Sequence, residues 1–291
     1  MFQSTITLLA ASLITFLVIL FYCLRQNPFP VIIACTRDLV RHRLMLFHLL
    51  GGSSILVMNK LELMLEPELR EEVNDWTAYI RAFEENVTPL VQEMFQHPML
   101  TQVTTFFYVV VFSVLMFVSL LVYHREGDFR SWYALVYGIS CNYFLAIPFF
   151  LFAPVMEAWT SHPDIQFLIP EVYPRFELEY RYFSGMDNSF PSLHTSISVT
   201  MAMIALHSEN RRLAGVSLLS AGVILLSILY LGIHWWVDLI GGFVLASISV
   251  GLAFRLGVLP LGSHQLKLRA HRKNLGTYVP PSLIVPLLDR K

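Results

Sequence analysis

Charge is what this chain has least of. Only 14% of its 291 residues are Asp, Glu, Lys or Arg, against 55% that are hydrophobic, whereas soluble domains carry about 25% charged residues. That shortage excludes an ordinary soluble domain. The net charge of −1 lacks the basic excess that phosphate-backbone binding needs, so nucleic acid is excluded as a partner. Cysteine is equally sparse. Cys23, Cys35 and Cys141 are odd in number and lack metal-ligand spacing, so neither a disulfide framework nor a zinc ligand set is expected. No internal repeat is visible. The first apolar run lacks a basic leader and a small-residue cleavage site, and reads as a retained span rather than a signal peptide.

What the chain has in abundance is long apolar runs. A membrane-crossing helix needs about 20 mostly apolar residues. Seven stretches are candidates: 5–24, 43–58, 101–123, 131–153, 191–207, 213–232 and 236–257. The expected fold is an all-α integral membrane protein, a multi-span helical bundle of six to seven transmembrane helices. Orientation follows the bias of Lys and Arg between loops. Fifteen of the twenty follow odd-numbered spans, and only Lys60, Arg70, Arg81, Arg175 and Arg181 lie on the opposite side. The C-terminus and the basic tail 258–291 are therefore expected in the cytoplasm of a cell-membrane protein. Between the second and third spans, Leu65, Leu69, Trp76, Ile80, Phe83, Val87, Leu90 and Met94 recur at helical spacing. Two readings fit: an amphipathic helix packing its apolar face on the bundle, or an interfacial helix on the outer leaflet.

Two polar islands stand at the edges of apolar runs, Phe190 to Thr195 (F-P-S-L-H-T) and Gly232 to Asp238 (G-I-H-W-W-V-D). Both fall on the outer face in this topology. Ionisable groups at a membrane boundary are costly and mark candidate sites. Two histidines and an aspartate also supply acid, base and nucleophile near neutral pH. Asn188 or Ser189 is expected to cap a helix that opens with Pro191. That places His194 in a first turn whose free N–H groups can hold an anion. If a helix has already begun at His234, Asp238 shares its face. The carboxylate can then accept the Nδ1 proton and leave Nε2 free as a nucleophile. Trp235 and Trp236 read as interfacial aromatics. The loop 154–189, polar and long, is of a kind that is more often functional than idle.

This pair of islands resembles the type 2 phosphatidic acid phosphatase superfamily, whose second signature is P-S-G-H and whose third is S-R, five residues, H, three residues, D. Pro191-Ser192-Leu193-His194 matches the second, and His234 with Asp238 the third. The first signature, K, six residues, R-P, is absent, and Ile228 stands where the third has its arginine. Without those cations the pair is more similar to the inositol phosphorylceramide synthase and sphingomyelin synthase branch. The resemblance covers about residues 100–257.

The resemblance implies a lipid phosphatase or phosphotransferase acting on a lipid phosphate or phospholipid in the bilayer. His234 would attack phosphorus and form a phosphohistidine. His194 would protonate the leaving alkoxide and then activate water or an acceptor alcohol, with Asp238 orienting His234. The scheme needs no metal or other cofactor. Ser192 of the second motif joins the substrate-binding residues. Stabilising a phosphoryl transition state calls for positive charge. Arg181, with Arg175 behind it, either substitutes for the missing cations or is a solvated loop arginine. Glu157 and Asp187 are either contacts to substrate hydroxyls or plain loop carboxylates. On this reading the chain divides into N-terminal spans (1–58), an amphipathic extracytoplasmic segment (59–100), a catalytic membrane core (101–257) and the tail. Two other readings of the polar cluster are a lipid transporter or scramblase and a metallohydrolase with His194, His234 and Asp238 as ligands.

Overall fold

The computed structural model describes residues 2–69, 73–84, 86–180 and 184–258. Arg181 and the basic tail from 259 onward lie outside the described residues. Helix α1 (Thr5–Leu24) starts where the Ser4 hydroxyl accepts the Thr7 N–H, and α2 (Pro28–Arg41) where Asn27 accepts that of Phe29; both satisfy donors that a helix start leaves orphaned. Next come α3 (Arg43–Ser53) and α4 (Ile55–Leu69), then two short helices, α5 (Thr77–Glu84) and α6 (Val87–Phe95). Helices α7 (Pro98–Phe106) and α8 (Phe112–Glu126) run together through a π-helical turn, Phe107–Val111. After α9 (Phe129–Phe152), three single turns punctuate the following loop: α10 (Ala158–Ser161), α11 (Ile169–Val172) and α12 (Phe176–Tyr180). The chain then forms α13 (Leu193–His207), α14 (Arg211–Tyr230) and α15 (Trp236–Val258).

Among the described residues, six helical stretches are long and apolar enough to cross a membrane: Thr5–Leu24, Arg43–Glu66, Pro98–Glu126, Phe129–Phe152, Arg211–Tyr230 and Trp236–Gly257. The seventh expected span is α13, with 15 residues. At 1.5 Å per residue it reaches about 22 Å, short of the roughly 30 Å hydrocarbon layer. Residues 28–41, between the first two apolar stretches, form α2. This helix buries Val31 and Cys35 and turns Phe29, Ile33 and Val40 outward.

Short α13 sits at the centre, packed on α9, α14 and α15. It buries Ser196, Ser198 and Thr200 beside Ile197, Met201 and Ile204, and Asn142 of α9 donates to the Thr200 hydroxyl at 2.9 Å, the kind of bond that fastens helices in an apolar medium. The start of α13 lies directly against α15. A Cβ at Gly242 would come within 2.6 Å of Thr195 Cβ and 2.8 Å of the Ser192 carbonyl oxygen, so only glycine permits the contact. That approach brings the two polar islands to one end of the bundle.

The loop between α9 and α13 folds over the same end. The N–H groups of Ala158 and Trp159 donate to the carbonyls of Ile233 and Gly232, and Ser189 N–H donates to Val155. Gly232 makes the turn between α14 and α15 with φ +81°, and a Cβ there would meet the Gln166 carbonyl oxygen at 2.4 Å. The outcome for 60–97 reverses the packing reading. Thr77, Glu84, Thr88 and Gln92 are buried, whereas Phe83 and Met94 are 71% and 66% exposed. Polar residues face in because the end of the bundle offers backbone groups to bond. The Gln92 amide donates to the carbonyls of Gln166 and Tyr230 at 2.7 and 2.9 Å.

Gly232→Ala adds a left-handed penalty of about 2 kcal/mol to a direct clash. Its melting temperature in detergent should fall by several degrees. Gly222→Ala, in open space on α14, should leave it unchanged or raised, because alanine is the better helix former. Equal melting temperatures for the two variants would refute this account of the turn.

Candidate functional site

The turn that follows α14 carries His234. The Ile228 carbonyl, at the position of the missing arginine, accepts both Ile233 N–H at 3.2 Å and His234 N–H at 3.0 Å. Helix α15 starts only at Trp236, so His234 and Asp238 do not meet as neighbours on a helical face. Asp238, in the first turn of α15, instead reaches back: its Oδ2 accepts the Trp235 N–H at 3.0 Å and lies 3.1 Å from His234 Nδ1. A first-turn carboxylate turned back onto the preceding N–H is half of a capping box. Ser189 completes this side. Its hydroxyl donates to Asp238 Oδ2 at 2.5 Å and stands 3.1 Å from His234 Nδ1.

The other ring nitrogen faces Ser192. The cap of α13 is Ser192, rather than Asn188 or Ser189; its hydroxyl accepts Thr195 N–H at 3.3 Å. The same oxygen lies 3.3 Å from His234 Nε2, so its proton is directed to the Nε2 lone pair. A proton on Nδ1 faces the carboxylate, and Nε2 then faces the Ser192 hydroxyl as an acceptor.

His194 is the second residue of α13, in the first turn as expected. Its ring stacks on Tyr108 (centroids 4.1 Å apart, planes 21°) and packs on Phe112 at 4.7 Å. Its Nε2 is 3.1 Å from the Tyr180 hydroxyl. The two imidazoles are 6.4 Å apart, centre to centre. Both line one cavity of about 160 Å³, together with Asn59, Tyr143, Glu157, Tyr180, Asn188 and Ser189. No lysine or arginine is among the described residues that line it.

Of the remaining expected site residues, Glu157 lines the cavity, with its Oε2 accepting Trp159 Nε1–H at 2.7 Å. Asp187 is outside the lining and contributes its backbone carbonyl to Val155 N–H. Arg175 is also outside the lining, ion-paired with Glu179 at 2.7 Å. Trp235 is not an interfacial aromatic. It is fully buried and donates its indole N–H to the Met156 carbonyl at 2.9 Å; Trp236 alone stays half-exposed. Among the described residues no group of three or more His, Cys, Asp or Glu side chains converges as a metal-ligand set. Asp238 stands on the Nδ1 side of His234, and His194 lies across the cavity.

Three contributors carry no motif in the sequence, Tyr180, Tyr108 and Glu84, and Ser189, a cap candidate, serves His234 and Asp238 instead. Glu84 is fully buried, and its carboxylate accepts the N–H of Thr88 and, at 2.9 Å, that of Trp236. It therefore caps α15 from another helix. The polar spacing Thr77, Glu84, Thr88 and Gln92, opposite the apolar stripe, was the signal for it. Burial pushes the Glu84 carboxyl above its ordinary value of 4.5, against the hydrogen bonds from Thr88 and Trp236, and the nearby Asp238 charge adds to the rise.

The architecture defines an integral membrane protein that holds a His–Asp pair and a second histidine around one polar cavity at one end of its bundle. The PAP2 superfamily model matches residues 81–252, more than half of the chain, and the protein belongs to that superfamily. Neither the curated proteins nor the solved structures gave a match. The matched region begins within α5 and so takes in Glu84. Membership supports a phosphatase-type enzyme with a lipid phosphate as its substrate in the bilayer.

A carboxyl whose pKa is raised by folding adds stability below its ordinary value, and that contribution is lost as pH rises through the raised value. The melting temperature of the native protein minus that of Glu84→Gln should therefore fall between pH 4.5 and neutrality. A difference independent of pH would contradict the buried, destabilised carboxylate.

Proposed function

We propose that the protein transfers the phosphoryl group of a lipid through a covalent intermediate on His234. The observation that carries this reading is that His194 and His234 face one cavity, with Asp238 behind His234. The Ser192 proton leaves Nε2 as the substrate enters, and Nε2 attacks phosphorus in line. The N–P bond forms as the bond from phosphorus to the leaving oxygen breaks, and His194, protonated as the anionic substrate enters, gives that oxygen its proton. In the second half, water or an acceptor alcohol passes its proton to His194 and its oxygen takes the phosphoryl group. His234 returns to its starting state. The Nδ1–H bond to Asp238 stabilises the ring as it becomes positive. Free N–H groups at the start of α13 and the dipole of that helix favour the anion. Arg181 is the proposed further cation, and Glu157, at the cavity wall, the proposed contact to substrate hydroxyls. The lack of the three signature cations supports a place near the inositol phosphorylceramide synthase-like transferases, in which an alcohol takes the place of water. Free phosphate and new lipid, counted separately with purified protein, distinguish the two outcomes.

His234→Ala should abolish turnover of every substrate. His194→Ala should cost about 10²–10⁴-fold on an alkyl lipid phosphate, whose alkoxide must be protonated. On a nitrophenyl phosphate, which needs no such help, the loss should be far smaller. Initial rates of both variants on both substrates test the assignment. Appreciable turnover by His234→Ala would remove the phosphohistidine, and equal losses for His194→Ala would remove the acid.

The basic-residue bias supports an extracytoplasmic site. Asp164 is exposed in the loop over the site. With the native cysteines replaced, Asp164→Cys should react with an impermeant maleimide in intact cells, and labelling only after permeabilisation would reverse the orientation.

A further inference from the structure

Helices α5 and α6 are amphipathic the wrong way round for a soluble surface. Their inner face is a polar row: Thr77, Glu84, Thr88 and Gln92 are buried, with Ile80 the one apolar member. Their outer face exposes Tyr79, Phe83, Val87, Leu90, Met94 and Phe95. Six large apolar side chains on two short helices form a patch of the kind that marks an interaction surface. Its surroundings identify the partner. Beyond Phe95, the exposed apolar surface continues onto Met99 and Val103 of the α7–α8 span, and beyond Phe83 onto Ile240 and Val244 of the α15 span. These side chains face lipid, because the helices that carry them cross the membrane. The patch is thus a prolongation, at the ends of two spans, of a surface already in contact with the bilayer. The aromatic ring of Tyr79 with exposed Trp76 beside it suits the boundary between headgroups and water.

The same helices are fixed to the site. The Glu84 carboxylate holds Trp236 N–H, the Trp236 indole N–H donates to the Phe83 carbonyl at 3.2 Å, and Gln92 holds the Tyr230 carbonyl ahead of His234. Trp76 N–H donates to Pro154, and Met156 N–H to the Thr77 hydroxyl, at the start of the loop that covers the cavity. We propose that α5 and α6 form an arm seated in the headgroup layer of the bilayer, holding the cavity at the depth where a lipid phosphate lies. The arm's role in delivery rests on the lipid-phosphate reading above; its seating in lipid does not.

The test uses the full-length protein in dioleoylphosphatidylcholine vesicles. Nitroxides are placed through Phe83→Cys and Met94→Cys in a background of Cys23→Ala, Cys35→Ala and Cys141→Ala. Both labels should collide with dissolved oxygen more than with a water-soluble nickel chelate, the order found in lipid. The reverse order at both sites overturns the arm. Kinetics give a second readout. Phe83→Glu with Met94→Glu should raise KM for dioleoyl phosphatidate in the vesicle about tenfold or more, since each side chain loses its apolar burial. KM for dihexanoyl phosphatidate, dissolved as monomers, should be unchanged. An unchanged vesicle KM, or an equal loss on both substrates, overturns the delivery role. If the unsubstituted protein turns over neither phosphatidate, the functional reading fails, and the nitroxide depths still decide the arm.

Discussion

A single buried carboxylate oxygen holds the site together. Asp238 Oδ2 takes the Ser189 hydroxyl, the Trp235 N–H and the Nδ1 side of His234, so the loop before α13, the turn after α14 and the start of α15 meet at one atom. A charge withdrawn from water is tolerable only when donors surround it. The requirement works in both directions, because these donors would be equally costly to bury without the oxygen. Glu84 doubles the arrangement one residue along, on the next N–H of the same helix start. Two carboxyl groups accept the first N–H groups at the positive end of α15, and they fix where that helix begins.

The membrane explains the rest of the pattern. With lipid as solvent, apolar side chains gain little by turning inward, and small and hydrogen-bonding residues join bulky ones such as Leu115, Trp132 and Ile204 inside the bundle. Hence Asn142 bonds Thr200 between α9 and α13, and Gln92 is spent on backbone carbonyls. The inversion of α5 and α6 follows the same logic. Their polar row has partners at the end of the bundle, and their apolar row has lipid.

Six of the seven apolar stretches could be read from composition because the bilayer imposes a length on each, and α13 is the one that falls short of it. The pairing of the two histidine motifs was also readable, since each is a polar interruption at a span end. The details between them were not. Asn188, Ser189 and Ser192 all have capping side chains within five residues, and the contact of Gly242 with Ser192 decides which one starts α13. Trp235 and Trp236 look alike in a belt, yet the left-handed turn at Gly232 sends the first inward. The helical period of 60–97 identified a helix without saying which side was outside. That depends on what the rest of the fold offers, and no local pattern contains it. Ile228 departs from the signature in its side chain, but it is the main-chain oxygen of this residue that holds the turn.

One irregularity constrains how the chain can vary. The π-helical turn Phe107–Val111 inserts an extra residue into the long helix Pro98–Glu126, and such turns recur at functional sites. On its site side, Tyr108 and Phe112 both reach the His194 ring. On its far side, Thr101 meets the Tyr230 hydroxyl at 2.8 Å. Loss of one residue would restore ordinary helical bonding and rotate one half against the other by about 100°. Either the platform under His194 or the bond to Tyr230 would then go. Hydrophobic substitution is cheap where this span faces lipid, as at Met99 and Phe117, but its length in this stretch is not negotiable: at those positions the chain is free to change its letters far more readily than their number.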